Sequence, residues 1–256
     1  MTIAASGWAI LVIGAAVAGW VDAVIGGGGL VLIPLVMAVA PGLTPAAALA
    51  TNKVAAVSGT ASAAFTLVRK VRPPAGELFK YGVVALAASA VGALCVSLID
   101  AAVMRPVIIV LMLAVGTFVA FKPNFGAGDK PEIRTGNRVL LALAAVAAIA
   151  FYDGIFGPGT GMFLIMAFTA IFSQNFLKSA AMAKVINTCT NVGALATFIA
   201  GGHVWWKMAL ILAVANIVGA QLGARTVLGG GTKLIRYALL ALVVVMSSYL
   251  AYKQWA

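Results

Sequence analysis

Four ionisable residues stand where the surrounding sequence is too apolar to hold them. Lys53, in Ala46–Val68, and Lys184, in Ser179–Ala200, lie about seven or eight residues inside apolar runs, and Asp22 and Asp153 each precede a glycine cluster by four residues. A lysine near a helix centre costs about 2.5–3.5 kcal/mol in a bilayer, so it is kept only facing a bundle interior or a wet cavity. At ~1.5 Å per residue the two lysines sit ~10–12 Å deep, marginal for a stem that reaches back to the headgroups. Their neighbours extend them into polar stripes. Lys184, Asn187 and Asn191 share one helix face at i, i+3, i+7; Lys53 and Thr60 repeat the i, i+7 relation beside Asn52, and Thr51, Ser58 and Ser62 form the adjacent stripe. A single polar residue would serve as glue between helices. A stripe headed by a cation is a donor-rich lining, and such a lining suits an anion.

The glycine clusters add backbone chemistry. Gly26-Gly27-Gly28-Gly29 and Gly157-Pro158-Gly159-Thr160-Gly161 both interrupt a helix. The helix that restarts after each break presents unsatisfied N–H groups with about half a positive charge. At mid-depth, Gly27, Gly28 and Gly29 with Gly159, Thr160 and Gly161 would form an anion cradle from two helix N-termini. For Asp22 and Asp153 the simplest role is to neutralise the lysines in two symmetric buried pairs, which the equal 31-residue Asp-to-Lys spacing invites. A proton relay is the sharper alternative, because intramembrane carboxylates recur in proton-coupled carriers.

The elements that must position these residues are membrane helices. The chain has 256 residues, 63% hydrophobic and 9% charged, where soluble domains run about 45–50% apolar and about 25% charged. That excludes a water-soluble domain and indicates an all-α polytopic membrane protein. Long apolar runs fall near 3–25, 45–68, 77–98, 102–121, 138–156, 177–200, 204–228 and 232–253, each long enough to cross. Runs 30–41 and 162–173, which follow the glycine breaks, are too short for a ~30 Å hydrocarbon core. The 17 Lys+Arg against 6 Asp+Glu lie mostly between these runs, which makes them membrane anchors and leaves nucleic acid no part. Cys95 and Cys189 lie inside apolar runs and offer neither a disulfide framework nor a metal site. His203, next to Trp205 and Trp206, reads as an interface residue beside an aromatic belt. Gly7–Ala18 could pass for a secretory signal, but it lacks a basic n-region and is expected to be mature structure.

The basic residues also choose a topology. If each glycine-broken pair is a hairpin, one face collects Arg69, Lys70, Arg72, Lys80, Lys122, Lys130, Arg134, Arg138, Lys178, Arg225, Lys233 and Arg236, and the other only Arg105, Lys207 and Lys253. If each broken pair makes a single crossing, the division is ten to five. The positive-inside rule favours hairpins, with both termini outside the cytoplasm. The halves also match at a fixed offset of 131 residues: Asp22 with Asp153, Gly26 with Gly157, Gly28 with Gly159, Lys53 with Lys184, Gly92 with Gly223, Arg105 with Arg236 and Lys122 with Lys253. We therefore expect one membrane domain of two inverted repeats, 1–122 and 138–256, joined by a basic cytoplasmic linker at 123–137. Inverted repeats with interrupted helices at corresponding places are the mark of secondary transporters.

Gly19-Trp20-Val21-Asp22-Ala23-Val24-Ile25-Gly26-Gly27-Gly28-Gly29-Leu30 with Ala48-Leu49-Ala50-Thr51-Asn52-Lys53, and Phe151-Tyr152-Asp153-Gly154-Ile155-Phe156-Gly157-Pro158-Gly159 with Ala183-Lys184-Val185-Ile186-Asn187, resemble the TauE/SafE family of membrane transporters, in its YfcA-like branch. The resemblance covers nearly the whole chain. It implies a bacterial inner-membrane carrier of about eight spans, whose characterised relatives move sulfur-containing anions such as sulfite, sulfoacetate or related sulfonates, often outward.

The expected function is alternating-access transport of a small anion. Lys53 and Lys184 supply charge, Asn52, Asn187 and Asn191 hydrogen bonds, and the glycine breaks backbone donors. Neither catalysis, a cofactor nor a metal is expected; the partners are the anion, the bilayer and a coupling proton or ion. Two other classes fit less well: an intramembrane enzyme using an Asp22/Asp153 dyad, and a scaffold without turnover.

Overall fold

The computed structural model describes residues 3–96, 98–99, 102–104, 106–111, 114 and 132–229. The chain order is α1 (Ala5–Ile25), α2 (Gly29–Val39), α3 (Pro45–Val71), α4 (Ala75–Val96), α5 (Gly136–Ile155), α6 (Thr160–Phe172), α7 (Phe176–Ala200) and α8 (Trp206–Leu228). These helices account for six of the eight long runs read in the sequence and both short ones. The run at 232–253, most of that at 102–121, residues 123–131 of the linker, and the matches of Arg105 with Arg236 and Lys122 with Lys253 lie outside the described residues.

Among the described residues four helices, α1, α4, α5 and α8, are both long and apolar enough to cross a membrane. Their outward faces carry Ile10, Ile13, Leu94, Leu140, Val214 and Leu222, all at least half exposed. α3 and α7 are as long, at 27 and 25 residues, but contain the lysines and most of the amide and hydroxyl side chains. Those polar residues point inward: Thr51, Asn52, Lys53, Thr60, Lys184, Asn187, Thr190 and Asn191 are all buried. The molecule is apolar where it meets lipid and polar at its centre, which is how a bundle carries charge through hydrocarbon.

The two halves are built alike. Adding 131 to the first residue of each early helix gives the first residue of its counterpart: Ala5 and Gly136, Gly29 and Thr160, Pro45 and Phe176, Ala75 and Trp206. The caps correspond too. Thr44 accepts the Ala47 N–H at 3.2 Å before α3, and Asn175 accepts the Lys178 N–H at 2.8 Å before α7.

Both interrupted helix pairs are hairpins. α2 turns back along α1, with Gly28 against Asp22, Leu35 against Gly14 and Val39 against Gly7. α6 returns along α5 in the same way: the Tyr152 hydroxyl donates to the Pro158 carbonyl at 2.8 Å near the break, while at the far end Arg138 donates to the Ile171 carbonyl at 2.7 Å and the Ile133 N–H to the Phe172 carbonyl at 3.0 Å.

Cross-half contacts fix the helix directions. α1 and α8 run side by side in the same sense, with Asn216 donating to the Ala15 carbonyl at 3.0 Å and Trp20 to Thr226 at 3.3 Å. α3 accompanies α8 through Gly59 against Asn216 and Gln221 bonded to Ser62 and Thr66. α4 runs with α5, from the Glu77–Arg134 ion pair to Gly92 at Phe151, and with α7, from Gly82 at Cys189 to Thr197 donating to the Ala90 carbonyl at 3.2 Å.

The tightest of these approaches depend on glycine. A Cβ on Gly92 would collide with the Phe151 carbonyl oxygen, and one on Gly223 with that of Trp20, the counterpart contact in the other half. Backbone cannot yield as a side chain can, so Gly92→Ala and Gly223→Ala should each lower stability by about 1–3 kcal/mol through overpacking. Gly76, with nothing within 4 Å of its would-be Cβ, is the control: Gly76→Ala should leave the thermal unfolding midpoint of detergent-solubilised protein unchanged or raise it.

Candidate functional site

The two glycine breaks meet at the centre of the bundle. Gly26 and Gly157 both end their helices in the left-handed region, at φ 80° and 89°, a conformation open to glycine at no steric cost. Gly26 lies directly against Gly161, and the Met162 N–H donates to the Gly26 carbonyl at 3.3 Å. A side chain on either glycine would push the two hairpin tips apart. On the other side of the breaks, α3 and α7 pack together and bring up their lysines.

Each lysine meets the aspartate of the other half. Lys53 Nζ donates to Asp153 Oδ2 at 2.6 Å, and Lys184 Nζ to Asp22 Oδ2 at 3.0 Å. Lys184 also donates to the Asp22 backbone carbonyl, which accepts the Gly26 N–H at 2.7 Å as well. The equal spacing of Asp and Lys within a half therefore reflects the repeat, while the pairs themselves are exchanged between halves. Both carboxylates are turned onto ammonium groups, an arrangement unlike two carboxylates sharing a proton.

The pairs are equivalent by position but unequal in surroundings. Asp153 is 2% exposed, and its second oxygen, Oδ1, accepts the Thr160 hydroxyl at 2.7 Å. Thr160 thus serves the carboxylate from the first position of α6. At the corresponding place α2 begins with Gly29, which has no hydroxyl to give. Asp22 is 16% exposed, and among the described residues its Oδ1 accepts only the Gly28 N–H, at 3.2 Å.

The amide stripe of α7 surrounds Lys184. Asn187 Oδ1 accepts from Thr190 at 3.2 Å and from Asn191 at 3.3 Å, while the Asn187 Nδ2 group faces Gly161 at the break. Asn52 is buried beside Lys53, and the Thr51 hydroxyl is buried with no hydrogen-bond partner. The hydroxyl stripe of α3 is spent elsewhere: Ser58 and Thr60 donate to the Val54 and Ala56 carbonyls, and Ser62 binds Gln221 of α8. The backbone of the breaks is also largely engaged. Leu30 and Val31 donate to the Gly27 and Gly28 carbonyls at 3.0 Å, and Met162 and Phe163 to Gly159 at 3.0 and 3.1 Å.

Several site-supporting residues gave little sequence signal. Thr190 and Ser89, joined by a 2.7 Å bond from the Ser89 hydroxyl to the Thr190 carbonyl, bind α4 to α7 behind the amide stripe. Asn216 bridges α1 and α3 from α8; a lone amide in an apolar run was the available hint. Among the described residues no group of His, Cys, Asp and Glu is arranged to hold a metal.

Removing one partner of a buried ion pair strands the other at a cost of about 3–5 kcal/mol. Asp153→Asn should therefore destabilise the protein by about that much, and more than Asp22→Asn, because Lys184 keeps the Asp22 carbonyl. Thermal unfolding of purified variants tests this, and the double variant Lys53→Met/Asp153→Leu, which strands no charge, should recover most of the loss.

The chain matches the model of the family described as sulfite exporter TauE/SafE over residues 11–250. It is 37% identical over 238 residues to the probable membrane transporter protein YfcA of Escherichia coli (strain K12), covering 93% of this chain and 87% of that protein. It is 34% identical over 238 residues to a probable membrane transporter protein of Haemophilus influenzae, covering 93% and 92%. A third relative, the probable membrane transporter protein ORF9 of a Sinorhizobium species, is 32% identical over 243 residues, covering 95% and 90%. No solved structure matches the chain significantly. With its multi-pass helical build, its centre of crossed ion pairs and its family match over nearly the whole chain, this protein belongs to the TauE/SafE sulfite exporter family of membrane transporters.

Proposed function

We propose that this protein is an alternating-access carrier of small anions, sulfur-containing ones of the sulfite or sulfonate type, in the bacterial inner membrane. The observation that carries this reading is the pair of buried lysines, 2% and 0% exposed, each bonded to the aspartate that precedes the hairpin of the other half. In this reading Lys53 and Lys184 supply the charge that draws an anion out of water. Asn52, Asn187 and Asn191 replace part of its hydration shell. The breaks at Gly27, Gly28, Gly29 and at Gly159, Thr160, Gly161 line the same place with backbone, and Asp22 and Asp153 hold the lysines or take protons. The name of the family model favours sulfite, and a donor-rich lining suits a small oxyanion.

The helix directions support an inverted-repeat architecture of about eight spans. α1, α3 and α8 run one way and α4, α5 and α7 the other, so each helix of the first half opposes its counterpart. Residues 1–122 and 138–256 are then two halves of one membrane domain, able to rock about the central site. The hairpins return α1 and α5 to the side they started from. Arg69, Lys70, Arg72, Lys80, Arg134, Arg138, Lys178 and Arg225 then gather at one end, with Lys207 at the other. The basic end is cytoplasmic by the positive-inside rule, as is the linker at 123–137, and both termini are periplasmic.

Vesicles reconstituted with the protein should move sulfite or a sulfonate down an imposed gradient. Lys53→Ala and Lys184→Ala, compared with wild type at equal amounts of folded protein in the vesicles, should lose at least about tenfold in rate, the worth of one charge-assisted hydrogen bond. Wild-type rates in both variants would remove the lysines from the path.

A further inference from the structure

Resting on the carrier reading, we infer that Asp22 alone carries a coupling proton: its carboxylate occupies the seat of the transported anion and must be protonated to yield it, while Asp153 stays a fixed counter-charge. The inference comes from the unequal surroundings of two residues that the repeat makes equivalent. Asp153 is held on both oxygens, by Lys53 at 2.6 Å and the Thr160 hydroxyl at 2.7 Å, and is 2% exposed. Asp22 lacks the hydroxyl because α2 starts with Gly29, and at 16% exposed it is the least buried of the four.

What Asp22 touches is what an oxyanion needs. Its Oδ2 takes the Lys184 ammonium at 3.0 Å and its Oδ1 the Gly28 N–H at 3.2 Å, a cation and a backbone donor at the start of a helix. A carboxylate filling such a site competes with any anion that enters it. When a proton from water adds to an Asp22 oxygen, the neutral acid no longer matches two donors, and Lys184 and the Gly28 N–H pass to the anion. Lys184 keeps its bond to the Asp22 carbonyl throughout, so it is not left without a partner. When the anion leaves, Asp22 re-pairs with Lys184 and gives the proton to water. One proton then accompanies each anion.

The groups facing Asp22 leave few other carriers. α2 and α6 have no titratable side chain, α7 presents Lys184, and α3 presents Lys53, which is already held by Asp153. Arg69 and Lys70 of α3 and Lys207 and Arg225 of α8 are exposed on the outside. On α7, Cys189 faces Gly82 of α4, and Lys178 is paired with Glu132.

The test measures sulfite binding to purified protein by titration calorimetry in buffers of different ionisation heat, which counts the protons taken up per anion. Sulfite titrates near neutrality itself, so wild type is compared with Asp22→Asn under the same conditions, where sulfite's own contribution cancels. Wild type should take up close to one proton more per anion than Asp22→Asn, and Asp22→Asn should bind sulfite at least about tenfold more tightly at pH 8 because the internal competitor is gone. Gly29→Thr gives Asp22 the hydroxyl that Asp153 has, at a position where a Cβ meets nothing closer than 3.4 Å. It should bind sulfite about tenfold more weakly than Gly29→Val, which has the same shape without the hydroxyl. Equal proton counts in wild type and Asp22→Asn, or Gly29→Thr no weaker than Gly29→Val, overturn the inference while leaving the carrier reading in place. If no variant binds sulfite or any sulfonate, the carrier reading falls and this inference with it.

Discussion

Two ammonium groups in a region without bulk water would not be tolerated alone, and the rest of the molecule is arranged around their neutralisation. The cost of desolvating each charge is several kcal/mol, recovered only if an opposite charge stands at hydrogen-bond distance with good geometry. Lys53 and Lys184 meet that condition through aspartates contributed by the opposite half. The exchange ties the halves together at their centre. Neither half can turn against the other by more than a side chain's reach without breaking or replacing a buried ion pair. In the proposed carrier, a transported anion is one replacement that would keep the charges balanced during such a movement, so the same pairs would serve both the resting bundle and transport.

The glycines serve the same end from the backbone. At the hairpin tips they let α1 and α5 stop in mid-bundle and the chain reverse within three or four residues. At Gly92 and Gly223 they let helices from different halves lie backbone to backbone. In a membrane, where lipid tails are as apolar as leucine, close packing of this kind is a main source of helix association. It also leaves the large apolar side chains free to face outward, where they are found.

Much of this was legible in the sequence because membrane helices declare themselves by length, and charges within them by their rarity. The helix bounds, the two breaks, the 131-residue offset and the four ionisable residues of the central pairs could all be read directly. The partners of the lysines could not be. Asp22 and Lys53 share a half and a spacing with Asp153 and Lys184, and that regularity is equally compatible with pairs inside a half and pairs between halves. Only the packing of α3 on α7 across the crossed hairpins decides it. The fate of the α3 hydroxyls was hidden for a similar reason. Periodicity places Ser58 and Thr60 beside the lysine, but a hydroxyl in a helix can close onto its own carbonyl four residues back, and no spacing rule distinguishes that from a hydroxyl facing a cavity. The role of Thr160 was missed because its importance lies in a contrast with Gly29 that appears only once both helix starts are superposed.

The pairing of α1 with α8 has a consequence for how the chain is made. The surface of α1 that receives Asn216, Gly219 and Gly223 is synthesised about two hundred residues before the helix that fills it. Until α8 follows, α1 stands with a small-residue groove unfilled, and until α7 follows, the Asp22 carboxylate lacks Lys184. Packing of the bundle is therefore completed late, and a chain cut short before α8 would leave that groove open.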